Sequence, residues 1–324
     1  KPTRPRVYAR VRPMFGRDAN QPELFAITES ELEYKKDAKP DGETIKYAFD
    51  RVFGMDSEQE QVYDTIGQTA IDQMKQGFNS TILAYGQTGS GKTFSMEGVR
   101  DNKGVYSSKG LIPRIFEGIF KDFGSDESID NFKVEISFIE LYNEQLQDLF
   151  GKRQVVDVTV DPTGGYQTKN AVQHVVTDSE HALKTYIDGC KMRAVASTKM
   201  NAESSRSHAL LIVRVSWQAG KSKTFAMLNL VDLAGSEGMK KTGATGAAAK
   251  EGIKINLSLT KLALTVKSLA ENSKHVPFRE SKLTMMLQKG LSGSSMLHII
   301  LALSNSTLQV VESTACLRFG QSCL

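Results

Sequence analysis

The sequence is poor in cysteine and has no long uncharged hydrophobic run. Its 324 residues contain three cysteines, Cys190, Cys316 and Cys323, which are odd in number, far apart and not spaced as pairs of metal ligands. That pattern is typical of a reducing compartment. No uncharged apolar stretch reaches the roughly 18 residues of a membrane helix, and the charged N-terminal part lacks the apolar core of a signal peptide. We therefore expect a cytoplasmic protein without membrane insertion.

Internal repeats and low-complexity linkers are also absent, and apolar runs alternate with segments of helical periodicity. Runs rich in Val, Ile, Leu and Phe predict strands at 6–11, 81–85, 133–141, 209–216 and 225–231. Apolar residues at helical spacing predict helices around 62–74, 183–190 and 255–269. Stretches rich in Gly, Ser and Lys predict surface loops at 98–110, 121–131 and 238–252. Strands that alternate with helices indicate an α/β domain of three layers.

The segment Gly86-Gln-Thr-Gly-Ser-Gly-Lys-Thr93 matches the phosphate-binding pattern G-x-x-x-x-G-K-[ST]. It follows a predicted strand and precedes a segment that can begin a helix, which is the context that the pattern requires. Its glycines let consecutive N–H groups surround a phosphate, and the helix N-terminus adds partial positive charge. We expect Lys92 to reach the β and γ oxygens and the Thr93 hydroxyl to ligate Mg²⁺. The alternative, a chance glycine-rich turn, does not explain the preceding strand.

An acidic residue ends another apolar run. Asp232 closes the predicted strand 225–231, and Gly235 follows it closely. In a nucleotide-binding α/β domain such an aspartate lies near the metal, and a glycine N–H can meet a γ-phosphate. The alternative is a simple turn cap, since Asp often follows a buried strand in that role.

Positive charge is concentrated in one segment. From Lys240 to Lys289 the chain has ten Lys and Arg against three Glu, a net charge of +7, so the rest of the +4 chain carries −3. A solvated face is one interpretation, and a docking surface for an acidic polymer, either protein or nucleic acid, is the other.

Two further motifs identify a family. Asn201-Ala-Glu-Ser-Ser-Arg-Ser-His208 and Asp232-Leu-Ala-Gly-Ser-Glu237 resemble the two nucleotide switches of kinesin motor domains. The resemblance extends over essentially the whole chain, through 10–13 on the adenine side, an early strand at 49–53, a strand-to-helix turn at 140–144 and a microtubule-facing loop at 275–284. It implies one motor domain over 1–324, a P-loop NTPase fold whose central sheet is mixed, mostly parallel and flanked by helices on both faces. The neck linker, stalk and cargo region would lie outside this chain.

The resemblance also implies ATP and Mg²⁺ as ligands, with hydrolysis by a positioned water. Residues similar to the family's catalytic set are Ser204, Ser205, Arg206, Gly235, Glu237 and Asn256, with an Arg206–Glu237 salt bridge and Arg193 beside the first switch. Those similar to its nucleotide-binding set are Arg10, Arg12, Pro13, Gln87, Thr88, Gly89, Ser90, Gly91, Lys92, Thr93 and Phe94. The metal set would be Thr93, Ser207 and Asp232.

The partner implied by the resemblance is the microtubule, whose surface is acidic, rather than a nucleic acid or a membrane. The contacting residues would be Lys240, Lys241, Lys254, Lys261, Lys274, Arg279 and Lys282. Leu257 and Met285 stand where the family commonly has basic residues, which bears on the strength of track binding. A full-length protein could dimerise through regions absent here.

Three functions are compatible with the motifs. The first is microtubule-stimulated ATP hydrolysis that drives movement along microtubules. The second is depolymerisation of microtubule ends, for which the charged stretch Tyr34–Lys39 is the only pointer, and a charged surface hairpin also explains that stretch. The third is a nucleotide-regulated microtubule binder without motility, against which the intact switch residues argue.

Overall fold

The structure, a computed structural model, describes residues 4–39, 41–162, 164–200, 204–237 and 247–324, with side chains throughout except at 37, 195–200, 204 and 247–256. The strands are β1 Arg6–Arg12, β2 Phe25–Ile27, β3 Glu31–Lys35, β4 Thr44–Ala48, β5 Arg51–Phe53, β6 Ser80–Tyr85, β7 Gly98–Arg100, β8 Tyr106–Lys109, β9 Asn131–Tyr142, β10 Gln145–Asp148, β11 Val155–Val160, β12 Tyr166–Lys169, β13 His174–Val176, β14 His208–Ala219, β15 Ser222–Asp232 and β16 Met296–Ser304. The helices are α1 Gln59–Val62, α2 Gln68–Lys75, α3 Lys92–Met96, α4 Leu111–Gly124, α5 Ser179–Met200, α6 Ala247–Ala270, α7 Lys282–Leu291 and α8 Val310–Cys323.

Eleven strands form one mixed sheet in the order β12-β11-β10-β9-β14-β15-β6-β16-β1-β5, with β13 paired to β9. The five strands β15, β6, β16, β1 and β5 are parallel neighbours. β14 is antiparallel to both β15 and β9. The carboxyl ends of β6 and β15 therefore meet at the same edge of the sheet, and in open α/β sheets this edge is where ligands bind.

Helices cover both faces of the sheet, as predicted. Along β6 the side chains alternate: Ile82 and Ala84 pack into the apolar core beneath α2 and α4, and Leu83 and Tyr85 pack into the core beneath α6, α7 and α8. Because β6 is buried on both faces, it reads as a continuous apolar run rather than as an alternating one. A small antiparallel sheet, β2-β3-β4, lies outside the main one.

All five predicted strands and all three predicted helices are confirmed, while the predicted loops are partly wrong. The stretch 98–110 contains the hairpin β7–β8, the stretch 121–131 begins inside α4, and residues 247–252 belong to α6, while 238–246 lie outside the described residues. The stretch 140–144 was expected to be a strand-to-helix turn but joins β9 to β10. Asn143 and Glu144 have φ of 55° and 60°, and two residues with positive φ are what a tight hairpin turn requires.

Tyr34–Lys39 lies in a hairpin. Tyr34 and Lys35 end β3, residues 36–38 form a short 3-10 turn, and β4 returns antiparallel to β3. This agrees with the interpretation of a charged surface hairpin.

Candidate nucleotide-binding site

The predicted phosphate loop joins β6 to α3 at the carboxyl edge of the sheet. Three of its glycines, Gly86, Gly89 and Gly91, have φ between 76° and 152°, a region that side chains disfavour. A Cβ at Gly86 would also overlap the carbonyl of Ala302 on β16. The loop therefore needs glycine both for its backbone angles and for its close approach to the neighbouring strand.

Lys92 lies inside the curve of this loop. Its Nζ donates to the carbonyl oxygens of Gly86 (2.9 Å) and Gln87 (2.8 Å), and the side chain is buried. Burial lowers the pKa of Lys92, while nearby Asp232 and Glu237 act in the opposite direction. The ammonium group is thus held by two carbonyls of the loop, where a bound anion would attract it strongly.

Thr93 and Asp232 face each other, although they are far apart in sequence. The Thr93 hydroxyl donates to Oδ2 of Asp232 at 2.6 Å, and Asp232 ends β15 beside β6. The other carboxylate oxygen, Oδ1, is buried and has no hydrogen-bond partner among the described residues. A buried carboxylate oxygen without a partner, next to a hydroxyl, suits a hard cation such as Mg²⁺, which takes few protein ligands beside phosphate oxygens. These two residues fit a magnesium ion.

The loop that follows β15 lies against the phosphate loop. Gly235 N–H donates to Ser205 O (2.9 Å), and Ser236 N–H donates to Gly86 O (3.1 Å). The Glu237 carboxylate accepts from Thr88 through its N–H (2.8 Å) and its hydroxyl. A Cβ at Gly235 would overlap the Glu237 carboxylate and the Thr88 hydroxyl, so a larger residue here would have to move the two side chains that join these loops. The two predicted switches and the phosphate loop therefore meet at one place.

Ser207 is placed differently from its predicted role as a metal ligand. Its hydroxyl donates to Glu140 at 2.6 Å and accepts from Arg193 at 3.1 Å. Glu140 also forms ion pairs with Arg193 and with Arg153 (2.7 Å). The Ser207 side chain is satisfied by this buried charge cluster, whereas Thr93 and Asp232 are joined to each other. Ser207 thus anchors the first switch to β9 and α5 in this structure, and its role as a metal ligand stays a prediction, as do those of Thr93 and Asp232.

A cavity of about 460 Å³ adjoins the phosphate loop. Its walls comprise Gly89, Gly91, Lys92 and Thr93 at one end and Arg12, Pro13, Phe15 and Phe94 at the other. This volume lies within the range of small-molecule sites. Arg12, Pro13 and Phe94 were predicted here, whereas Phe15 was not.

Arg10 is not among the residues that line this cavity, contrary to expectation. It is buried and donates to Gln59 (2.8 Å) and Ser95 (3.0 Å), and burial lowers its pKa to about 10. Its guanidinium lies 5.0 Å from the centre of the Phe94 ring. Arg10 therefore lies behind the Phe94 wall of the cavity, and its contact with a base stays a prediction.

His208 joins three elements, a role that sequence reasoning missed. On β14, its Nδ1 accepts from the Ala234 N–H at 3.0 Å, and its Nε2 lies 2.8 Å from the Ser258 hydroxyl on α6. Because Nδ1 accepts, Nε2 carries the hydrogen and donates to Ser258. Burial lowers the pKa of His208 to about 3, so the ring is neutral. The only signal in the sequence was its place at the end of the first switch motif.

Several predicted site residues, or their side chains, are not among those that the structure describes. Lys240 and Lys241 lie outside the described residues, and the side chains of Ser204, Lys254 and Asn256 are not described. Arg206 lies in the 3-10 turn Ser204–Arg206 and is half-buried. The Arg206–Glu237 salt bridge stays a prediction.

Four of the basic residues predicted to contact the microtubule have described side chains, and they lie on α6 and around the start of α7. Lys261 on α6 pairs with Glu280, and Arg279 Nε donates to the Tyr166 hydroxyl at 2.9 Å. The Lys282 N–H donates to Glu144 at 2.7 Å, where α7 begins. Lys274 is exposed. The segment's positive charge is therefore partly balanced, because Lys261 has an acidic partner and Lys289 pairs with the buried Asp161.

This is a nucleotide-binding α/β protein of the P-loop class. The features that define the class are the sheet order, the glycine-rich loop with its buried lysine, and the position of Thr93 opposite Asp232. A family model described as the kinesin motor domain matches residues 10–323. The chain belongs to the kinesin motor domain family.

Its relatives include kinesin heavy chains and a solved kinesin structure. The kinesin heavy chain of Syncephalastrum racemosum is 40% identical over 281 residues, covering 85% of this chain and 30% of the relative. That of Botryotinia fuckeliana is 35% identical over 321 residues, covering 97% of this chain and 36% of the relative. A structure of a fast kinesin superposes with a TM-score of 0.90 at 33% identity and covers 99% of this chain and 91% of the other. The chain spans about a third of the length of these heavy chains.

Proposed function

We propose that this chain is the ATP-hydrolysing head of a microtubule motor and that microtubules stimulate its hydrolysis. The observation that carries the proposal is the convergence of three loops: Gly235 contacts Ser205, Ser236 contacts Gly86, and Glu237 contacts Thr88. A loop that touches both the phosphate loop and the first switch can report whether a γ-phosphate is bound. The relatives carry names of kinesin heavy chains, which supports the same function.

Hydrolysis in this class needs positioning and charge rather than a covalent intermediate. Lys92 would attract the β and γ oxygens, and the Gly235 N–H would hold the γ-phosphate. Thr93 and Asp232 would hold Mg²⁺, which when bound neutralises phosphate charge. Ser204 and Ser205 would position the attacking water, and Glu237 would close the site.

The proposed coupling to the track is supported by the connection between the site and α6. His208 links the Ala234 N–H, beside the γ-phosphate loop, to Ser258 on α6. Lys261 lies three residues further along the same helix, facing Glu280. A shift of the loop after β15 would therefore move α6, the helix that carries Lys261. Arg279 and Lys282 would add positive charge toward an acidic track.

The experiment is a steady-state ATPase assay with and without microtubules across a salt series. We expect turnover to rise with microtubules and the stimulation to weaken as salt increases, because screening reduces charge contacts. The variant Lys92→Ala removes the lysine that would contact the phosphates. It should abolish turnover under all conditions. Absence of stimulation at low salt would contradict the proposed track contact.

A second assay separates movement from depolymerisation. Surface-bound protein that makes filaments glide with constant length supports the motor, and filaments that shorten from their ends support the depolymerase. Binding that depends on the nucleotide, without turnover, would indicate the third function. The hairpin around Tyr34–Lys39 belongs to the small sheet β2-β3-β4.

A further inference from the structure

The cavity beside the phosphate loop extends beyond the residues that would take the phosphates. Gly89, Gly91, Lys92 and Thr93 take the phosphates, so the remaining lining residues must face the sugar and base. Among these, Phe15 is 62% exposed, so most of its ring faces the open end of the cavity or solvent. An exposed aromatic side chain at the edge of a binding cavity is an apolar surface that a ligand can cover.

Phe15 is held in place by a closed loop. Residues 12–18 turn back on themselves, because Arg12 forms an ion pair with the buried Asp18 and donates to the carbonyl of Pro13 at 2.8 Å. The Asp18 N–H donates to Phe15 O at 3.1 Å. The Arg12 guanidinium lies 4.4 Å from the centre of the Phe15 ring. One face of the ring is thus supported by a fixed cation, which favours such a contact.

A second aromatic residue of the cavity is fixed from the opposite side. The Gln59 amide donates to Phe94 O at 2.7 Å, and Arg10 lies over the Phe94 ring. Phe94 is 39% exposed. The base end of the cavity therefore has two arginine-supported rings, one from the loop 12–18 and one from α3.

We infer that Phe15 is a base-binding residue that stacks on the purine ring of the nucleotide, an inference that rests on the proposed ATP-binding function. The ring is preorganised by Arg12 and Asp18, so little side-chain entropy is lost when a base covers it. Stacking grows with the ring area covered, so Phe15 contributes more to binding of purine than of pyrimidine triphosphates. The contact is made with the base alone and leaves the phosphates to Lys92 and the loop.

The test is isothermal titration calorimetry of Mg-ATP, Mg-CTP and Mg-tripolyphosphate, the last of which has no base. We expect Phe15→Ala to weaken ATP binding roughly tenfold, because the base loses its aromatic stacking partner. CTP binding should weaken less, and tripolyphosphate binding should not change. Phe15→Tyr should keep ATP binding within about twofold, because the ring is retained.

A matched control is available elsewhere on the sheet. Phe225 is 49% exposed and has the Arg214 guanidinium 4.8 Å from its ring centre, but it lies on β15 away from the cavity lining. Phe225→Ala should leave all three affinities unchanged. Equal ATP affinity in the unaltered chain and in Phe15→Ala would overturn this inference alone, as would an equal loss for tripolyphosphate. Failure of the unaltered chain to bind Mg-ATP would overturn the proposed function as well.

Discussion

Replacing His208 would disconnect the loop after β15 from α6. The ring is 2% exposed and makes two hydrogen bonds, from the Ala234 N–H and to the Ser258 hydroxyl. Asparagine can place an acceptor near the position of Nδ1, and glutamine can place a donor near that of Nε2. The pair His208→Asn and His208→Gln therefore removes the two bonds one at a time, while His208→Ala removes both.

The magnitude follows from burial. A buried donor or acceptor that loses its partner costs about 1–3 kcal/mol, and His208→Ala removes partners from two such groups and leaves a small cavity. We expect a loss of about 2–5 kcal/mol in the free energy of unfolding. His208→Asn should lose less, because Ala234 keeps its acceptor. Lost packing around the smaller side chain contributes to both values.

The assays are urea denaturation for stability and amide hydrogen exchange at Ala234. Exchange at Ala234 should become faster in His208→Gln, which lacks the acceptor near Nδ1, and should change less in His208→Asn. Microtubule stimulation of the ATPase should fall in His208→Gln while nucleotide affinity is retained. Unaltered exchange at Ala234 in His208→Ala would refute the assignment of this hydrogen bond, and full stimulation would refute the coupling through α6.

Three further predictions concern separate contacts. Lys289→Ala leaves the carboxylate of Asp161 buried without its ion-pair partner, so we expect urea denaturation to show a loss of about 1–3 kcal/mol, largely restored by also introducing Asp161→Asn. Burial lowers the pKa of His208 to about 3 and that of His298 to about 4. Because these histidines are protonated near pH 6.5 in the unfolded chain but not in the folded one, the free energy of unfolding should fall as the pH drops from 6.5 toward 4. A free energy of unfolding that does not change over this pH range would contradict this. Glu237→Ala should keep ATP binding but stall hydrolysis, as measured by single-turnover kinetics, and unchanged turnover would exclude its closing role.

The sequence predicted the central strands well because their apolar content is unambiguous. β16 was missed, although it lies in the centre of the sheet between β6 and β1. Its apolar run, Met296–Ser304, fits a buried strand or a buried helix equally well, and periodicity alone does not separate the two. It also contains His298, whose ring nitrogens lie within hydrogen-bond distance of Tyr8 and Gln73 in the core.

The site was predictable where all of its residues lie in one continuous segment of the sequence. The loop 86–93 is local, so its position after a strand could be read directly. The environment of Ser207 was not local: Glu140 lies 67 residues away and becomes its partner only because β9 pairs with β14. The environment of Arg10 was not local either, since its partners Gln59 and Ser95 come from distant segments that fold behind the cavity.

The contact between Glu237 and Thr88 has a consequence for nucleotide exchange. The Thr88 N–H belongs to the phosphate loop but donates to a carboxylate of the same chain. A phosphate oxygen that approached this N–H would have to compete with the Glu237 carboxylate for it. A nucleotide that used this donor would therefore bind with an apparent affinity scaled by the fraction of time that the N–H is free of Glu237.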